Sequence, residues 1–213
     1  MQPRRPHVLL GIALAGLVAL GGILAALAIQ LQAGASYTFY GATLTPPRPA
    51  PDLALLDTEG NLFQLQALQG KVVLVFFGYT HCPDVCPTTM IAVRQVFERL
   101  GNDAQRVQFV FVSVDPERDT PERLRQYVKG FDTRYIGLTG TPEQVSQIAK
   151  AYGVQYYKED IGSASGYGVA HTAFVFAIDP KGRLRLTFPP FIGLQGDEIR
   201  FVAQDIQHLL KGG

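Results

Sequence analysis

The chain has two cysteines, and both fall in Phe76-Phe77-Gly78-Tyr79-Thr80-His81-Cys82-Pro83-Asp84-Val85-Cys86-Pro87. Three residues separate the thiols, and an apolar run precedes them. A bridge between such close neighbours closes a very small loop and adds little stability to a domain of this size. The pair is therefore a chemical device, either a redox dithiol or a pair of soft-metal ligands. Pro87 suits the first turn of a helix, so both thiols lie at or just before a helix N-terminus. The free N–H groups and the helix dipole there favour thiolates. Thiolates are the nucleophiles of disulfide exchange and equally the ligands of copper(I), so acidity alone does not separate the two chemistries.

A further ligand would separate them. Of the four histidines, His7 flanks an apolar segment and His208 lies in a closing helix, and neither has a chemical role in the sequence. His81 adjoins Cys82, but neighbouring side chains diverge, which makes it a residue beside the site rather than a ligand. His171 follows the Gly- and Ser-containing stretch from Lys158 to Ala170, read as a loop, and enters the apolar strand Thr172-Ala173-Phe174-Val175-Phe176. An imidazole facing two thiolates makes a Cys2His set suited to copper, sulfur for the reduced ion and nitrogen for the oxidised one. A loop histidine bonded to nearby backbone is the other reading, and the residues alone leave both open.

The elements that must hold these groups alternate from Pro51 onward. Leu53–Leu56 and Leu62–Leu65 read as a hairpin about Asp57-Thr58-Glu59-Gly60-Asn61. Lys71–Phe77 and Val107–Val114 are continuous apolar runs of the kind buried on both faces of a sheet. Pro87 opens a helix to about Leu100, with Met90, Val93, Val96, Phe97 and Leu100 at core spacing. Thr120 or Asp119 caps a helix to about Lys129, Tyr135–Leu138 is a short strand, and Thr141 caps a helix to Tyr152. Ala173–Ile178 and Leu184–Phe188 form a second hairpin, and Gly196–Lys211 a final helix. This order is that of a thioredoxin-like α/β domain with an N-terminal hairpin, and the dithiol at the first strand-to-helix junction narrows it further. In thioredoxins a cis-proline faces the dithiol from the junction that His171 occupies here.

The 213 residues suit one sizeable domain plus an appendage. With 47% hydrophobic residues and a formal net charge of +1, there is no electrostatic case for nucleic acid. Between Arg5 and Arg48 no charged residue occurs, and Val8 to Leu31 is apolar apart from Gln30. At about 1.5 Å per residue that run spans a hydrocarbon core of about 30 Å, so one transmembrane helix precedes the domain. Arg4 and Arg5 keep the N-terminus in the cytoplasm and send everything after Leu31 across the membrane. Ala33-Gly34-Ala35 offers a signal-peptide cleavage site as an alternative, although the apolar run exceeds a signal h-region. The organisation expected is thus 1–35 cytoplasmic tip and anchor, 36–51 tether, and 52–213 domain.

The dithiol phrase, Ser113-Val114-Asp115-Pro116-Glu117-Arg118-Asp119-Thr120-Pro121 and the His171-Thr172 strand entry together resemble the Sco/SenC family. The likeness runs from about Pro51 to the C-terminus and includes the N-terminal anchor. It implies a membrane-anchored copper chaperone serving the dinuclear copper centre of cytochrome c oxidase, with Cys82, Cys86 and His171 as the copper ligands. Its partners would be the copper-bearing oxidase subunit, a periplasmic copper donor and a thiol reductant. Its location would be the bacterial inner membrane, single pass, with the C-terminal domain in the periplasm. Asp84 reads as a solvated loop acid and Asp115 as a residue of loop geometry near the site. The other function is a thiol–disulfide oxidoreductase using Cys82 and Cys86 to reduce the acceptor's cysteines. CxxxC spacing and His171 in place of proline argue against it, and the absence of Trp argues against a glutathione peroxidase.

Overall fold

The computed structural model describes residues 15–27, 37–163 and 166–212. They belong to two compact units, Met1–Thr38 and Phe39–Gly213. In the first unit, residues 15–27 form helix α1. Among the described residues no helix is long and apolar enough to cross a membrane. The remainder of the Val8–Leu31 run, the Arg4-Arg5 flank and the Ala33–Ala35 site lie outside them.

The second unit is built on a seven-stranded sheet. Strands β1 (Ala42–Pro49), β2 (Leu56–Asp57), β3 (Val72–Gly78), β4 (Val107–Ser113) and β5 (Ile136–Thr139) belong to it, as do β8 (Val175–Ile178) and β9 (Arg183–Phe188). Their spatial order is β1-β9-β8-β3-β4-β5-β2. Among the described residues, strands β6 (Tyr156–Ser163) and β7 (Gly166–His171) pair only with each other. The helices are α2 (Val85–Leu100), α3 (Pro121–Phe131), α4 (Pro142–Tyr152) and α5 (Asp197–Leu210).

The two apolar runs become the sheet's centre. β3 pairs parallel with β4 and antiparallel with β8, so both of its edges are hydrogen-bonded, and every residue of it is buried. Side chains alternate across a strand. Phe76 faces Phe111, which in turn meets Tyr127 of α3, while Phe77 meets Tyr152 of α4. Each such side chain contributes about 1.5–3 kcal/mol by burial, which holds the β3–α2 junction rigid. α3 and α4 start where expected, with Thr120 and Thr141 accepting from the backbone N–H groups of Arg123 and Gln144 and Pro at the first helical position. Gln144 returns a bond to the Thr141 N–H, completing a capping box.

Three segments differ from the sequence reading. Residues 42–49, expected as tether, form edge strand β1 against β9. Prolines at 46, 47 and 49 hide it from pattern reading, yet an outer edge tolerates residues that cannot donate. The N-terminal hairpin is reduced to one bridge, Leu56 to Leu62, around a turn in which Asp57 accepts from Glu59 and Asn61. Leu53, Leu55 and Leu65 are spent as core plugs, and Leu56–Asp57 completes the free edge of β5 instead. The third is the stretch before His171. It is not a loop but the β6–β7 hairpin, in which Gly162 and Gly166 take positive φ near its tip.

Candidate metal centre

Helix α2 begins at Val85, two residues earlier than Pro87 suggests, so Cys86 lies inside the first turn. Pro87 costs nothing there, because N–H groups of the first turn have no intrahelical partner. Asp84 is the capping residue, but its side chain makes no cap bond to a backbone N–H. That part falls to sulfur: the Cys86 N–H donates to Cys82 Sγ at 3.4 Å. Both cysteines are free and buried.

His171 ends β7 on the opposite side of the thiols. Its Nε2 lies 3.6 Å from Cys86 Sγ. Its Nδ1 is 3.2 Å from the Thr172 carbonyl, which can only accept, so Nδ1 carries a proton and Nε2 is the ring nitrogen turned to sulfur. Phe76 and Tyr79 flank the imidazole edge-on, with ring centroids 6.0 and 5.9 Å away. The ligand atoms of Cys82, Cys86 and His171 all lie within 4.8 Å of one another.

The charge on this cluster is divided unequally. The Cys86 thiol donates to Cys82 and holds the Cys82 pKa down to about 4; His171 and the backbone of Asp84 and Cys86 add to this, while burial opposes it. Burial pushes Cys86 well up, and the charge on Cys82 pushes it further. The reduced pair thus shares one proton, with a thiolate at Cys82 and a thiol at Cys86. Tyr79 stays a neutral phenol, its pKa raised chiefly by burial.

The donor chemistry fits a soft metal. Bonds of about 2.0–2.3 Å to three donors in a plane would set those donors roughly 3.5–4 Å apart. The Cys86–His171 separation already lies in that range, and the other donors need only a small contraction. Two sulfurs and one imidazole nitrogen are a copper set rather than one for magnesium or calcium, which demand oxygen.

Other residues singled out in the sequence do not join the cluster. His81 is exposed and points away, with Nδ1 3.2 Å from Thr80 Oγ1 and Nε2 3.0 Å from an Arg123 nitrogen. Asp84 is exposed and accepts from the Thr88 hydroxyl. His208 packs edge-on against Phe39, centroids 5.3 Å apart, and His7 lies outside the described residues. Asp115 is buried, accepting from Arg118 at 2.5 Å and from Tyr167 at 2.7 Å. Sequence reasoning missed Asp119 as anything but a cap. It is fully buried and accepts from Thr80 N, Thr80 Oγ1 and Ser113 Oγ at 3.0, 2.6 and 2.7 Å, fastening the turn that leads into Cys82. The one signal for that role was its repeated-acid phrase beside a buried strand.

The fold and the cluster define a thioredoxin-like protein with a Cys–Cys–His set able to hold a metal. Its relatives carry the matter further. The SCO1/SenC family model matches residues 42–211, and the chain belongs to that family. The mitochondrial SCO2 homolog of Bos taurus is 34% identical over 186 residues, 85% of this chain and 70% of the relative. Among solved structures, apo Sco1 from Thermus thermophilus is 44% identical, with a TM-score of 0.70 over 83% of this chain and 99% of that one. Bradyrhizobium japonicum ScoI, solved with copper bound, is 35% identical, with a TM-score of 0.66 over 76% of this chain and 99% of that one.

Proposed function

We propose that the protein is a copper chaperone that binds one copper ion through Cys82, Cys86 and His171 and delivers it to the dinuclear copper centre of cytochrome c oxidase. The observation that carries this reading is the convergence of two sulfurs and one imidazole nitrogen within 4.8 Å, in a chain related to proteins solved with copper bound. The pre-formed Cys82 thiolate supplies a ligand without a deprotonation step at neutral pH. Binding copper(I) then releases the single proton left on Cys86. Three ligands leave the ion open to attack, so acceptor thiolates and imidazoles replace Cys82, Cys86 and His171 one at a time. The copper keeps its oxidation state throughout. In this reading the N-terminal segment anchors the domain to the bacterial inner membrane, single pass, with the domain in the periplasm. A periplasmic donor supplies the copper, and a thiol reductant keeps the pair competent in that oxidising compartment.

A second reading is favoured by the unequal thiols. A Cys82 thiolate beside a protonated Cys86 is the arrangement of a nucleophile and its resolving partner. It would reduce an acceptor disulfide to two thiols while Cys82 and Cys86 become a disulfide, two electrons passing over with the one proton of Cys86 and a second proton taken from solvent. One experiment separates the two. Copper-loaded protein is mixed with the apo copper domain of an oxidase subunit, prepared with its cysteines either reduced or oxidised. Delivery predicts that the reduced acceptor, once separated, carries the copper and shows the absorption of the dinuclear centre after an added one-electron oxidant such as ferricyanide is supplied, both lost with His171→Ala protein. Their absence, together with fast copper-independent reduction of the oxidised acceptor, would replace the chaperone reading with the oxidoreductase one.

A further inference from the structure

The loop Asp115-Pro116-Glu117-Arg118-Asp119 supplies no ligand to the metal centre. It meets the β6–β7 hairpin, which carries His171 yet joins no other ladder among the described residues. Within that hairpin β6 is solvent-facing from Tyr157 to Asp160, so β7 is the strand that holds it to the domain. Residues 167, 169 and 171 share one face of β7 by alternation, and each of the first two is tied down. Arg118 donates to the Tyr167 carbonyl at 2.8 Å and lies 3.7 Å over the Tyr167 ring. The Tyr167 hydroxyl donates to Asp115 at 2.7 Å, and Asp115 also receives Arg118 Nε at 2.5 Å. The Val169 N–H donates to the Tyr79 hydroxyl at 3.3 Å, and Arg118 lies 5.9 Å from the Tyr79 ring centroid. Lys158 on β6 adds an exposed ion pair to Glu117 at 2.6 Å.

We propose that Asp115, Arg118 and Tyr167, with Tyr79, form a latch that holds the hairpin, and with it His171, in place over Cys86. They are positioning residues and touch no metal. Arginine suits the task because a planar guanidinium stacks on a ring while its separate N–H groups serve a carboxylate and a carbonyl together. Lysine keeps the charge and loses both features.

The inference rests on His171 being a copper ligand, so two readouts keep the ideas apart. Hydrogen exchange at residues 166–171 is followed in the reduced, copper-free full chain for wild type, Arg118→Lys and the milder Tyr167→Phe. Copper(I) affinity is measured by chelator competition for the same proteins, alone and combined with His171→Ala. Arg118→Lys is expected to speed hairpin exchange about tenfold, leaving β3 and β4 unchanged. It should weaken copper by about tenfold, as outer partners of metal ligands do, and Tyr167→Phe should do so less. Neither change should weaken copper further once His171 is gone. Faster hairpin exchange with copper binding indifferent to His171→Ala supports the latch while the ligand reading fails. Unaltered exchange in both variants, or an equal loss of affinity with and without His171, overturns the latch.

Discussion

Asp119 offers a quantitative test of how the site is built. Its carboxylate is fully buried and receives three donors, one backbone N–H and two hydroxyls. Hydrogen bonds to a charged acceptor contribute about 1.5–3 kcal/mol each, and an abandoned buried donor costs about 1–3 kcal/mol. In Asp119→Ala the hydroxyls of Thr80 and Ser113 can rotate toward other acceptors, but the Thr80 N–H cannot. The expected loss of stability is therefore about 3–5 kcal/mol rather than the full sum. Asp119→Asn behaves differently. Its oxygen can replace Oδ2, which serves both Thr80 N–H and Ser113, while its amide nitrogen donates to a Thr80 hydroxyl that has turned to accept. That substitution should cost only about 1–2 kcal/mol. Urea denaturation of the reduced protein, followed by circular dichroism at one pH, measures both. A loss below about 1 kcal/mol for alanine, or equal losses for alanine and asparagine, would refute the claim that this carboxylate fastens the turn before Cys82.

Four further outcomes follow from the same geometry. Alkylation of Cys82 should proceed at a nearly constant rate between about pH 6 and 8, since its thiolate is already formed; Cys86→Ala removes the largest cause of that depression and should move the inflection upward from about 4. A depressed folded value stabilises the fold fully above the ordinary thiol value of 9.0, and this contribution fades as pH falls toward about 4. Over that window the stability of wild type should therefore fall more steeply with acid than that of Cys82→Ser, and parallel curves would contradict the assignment. Gly78→Ala should cost about 1–3 kcal/mol by overpacking, because its Cβ would stand 2.8 Å from Cys86 Sγ and 2.9 Å from the Phe76 ring; chemical denaturation checks it. Thr141→Ala should lower stability by about 1 kcal/mol through loss of the α4 cap, with Thr141→Ser close to wild type in thermal melts.

The sequence disclosed what depends on strong local signals. β3 and β4 announce themselves as unbroken apolar runs, and α3 and α4 by Thr-Pro at their starts. Cys82 and Cys86 were legible because two thiols so spaced have few uses, and His171 because its place in the element order faces them. Features settled by distant contacts were not legible. β1 is a proline-bearing edge whose only instruction is the free side of β9. The β6–β7 hairpin is too exposed and too rich in glycine to show a period. The division of charge between the two thiols depends on burial and on which sulfur receives the Cys86 N–H. The grip of Arg118 on Tyr167 joins residues 49 positions apart, and no spacing rule connects them.

Copper titration of the reduced protein, read by X-ray absorption at the metal, tests the central claim most directly. The Cys2His account predicts one copper per chain, with two sulfur ligands and one nitrogen, and loss of that nitrogen with weaker binding in His171→Ala. Failure of the wild type to bind stoichiometric copper, or an unchanged spectrum and affinity in His171→Ala, would contradict it.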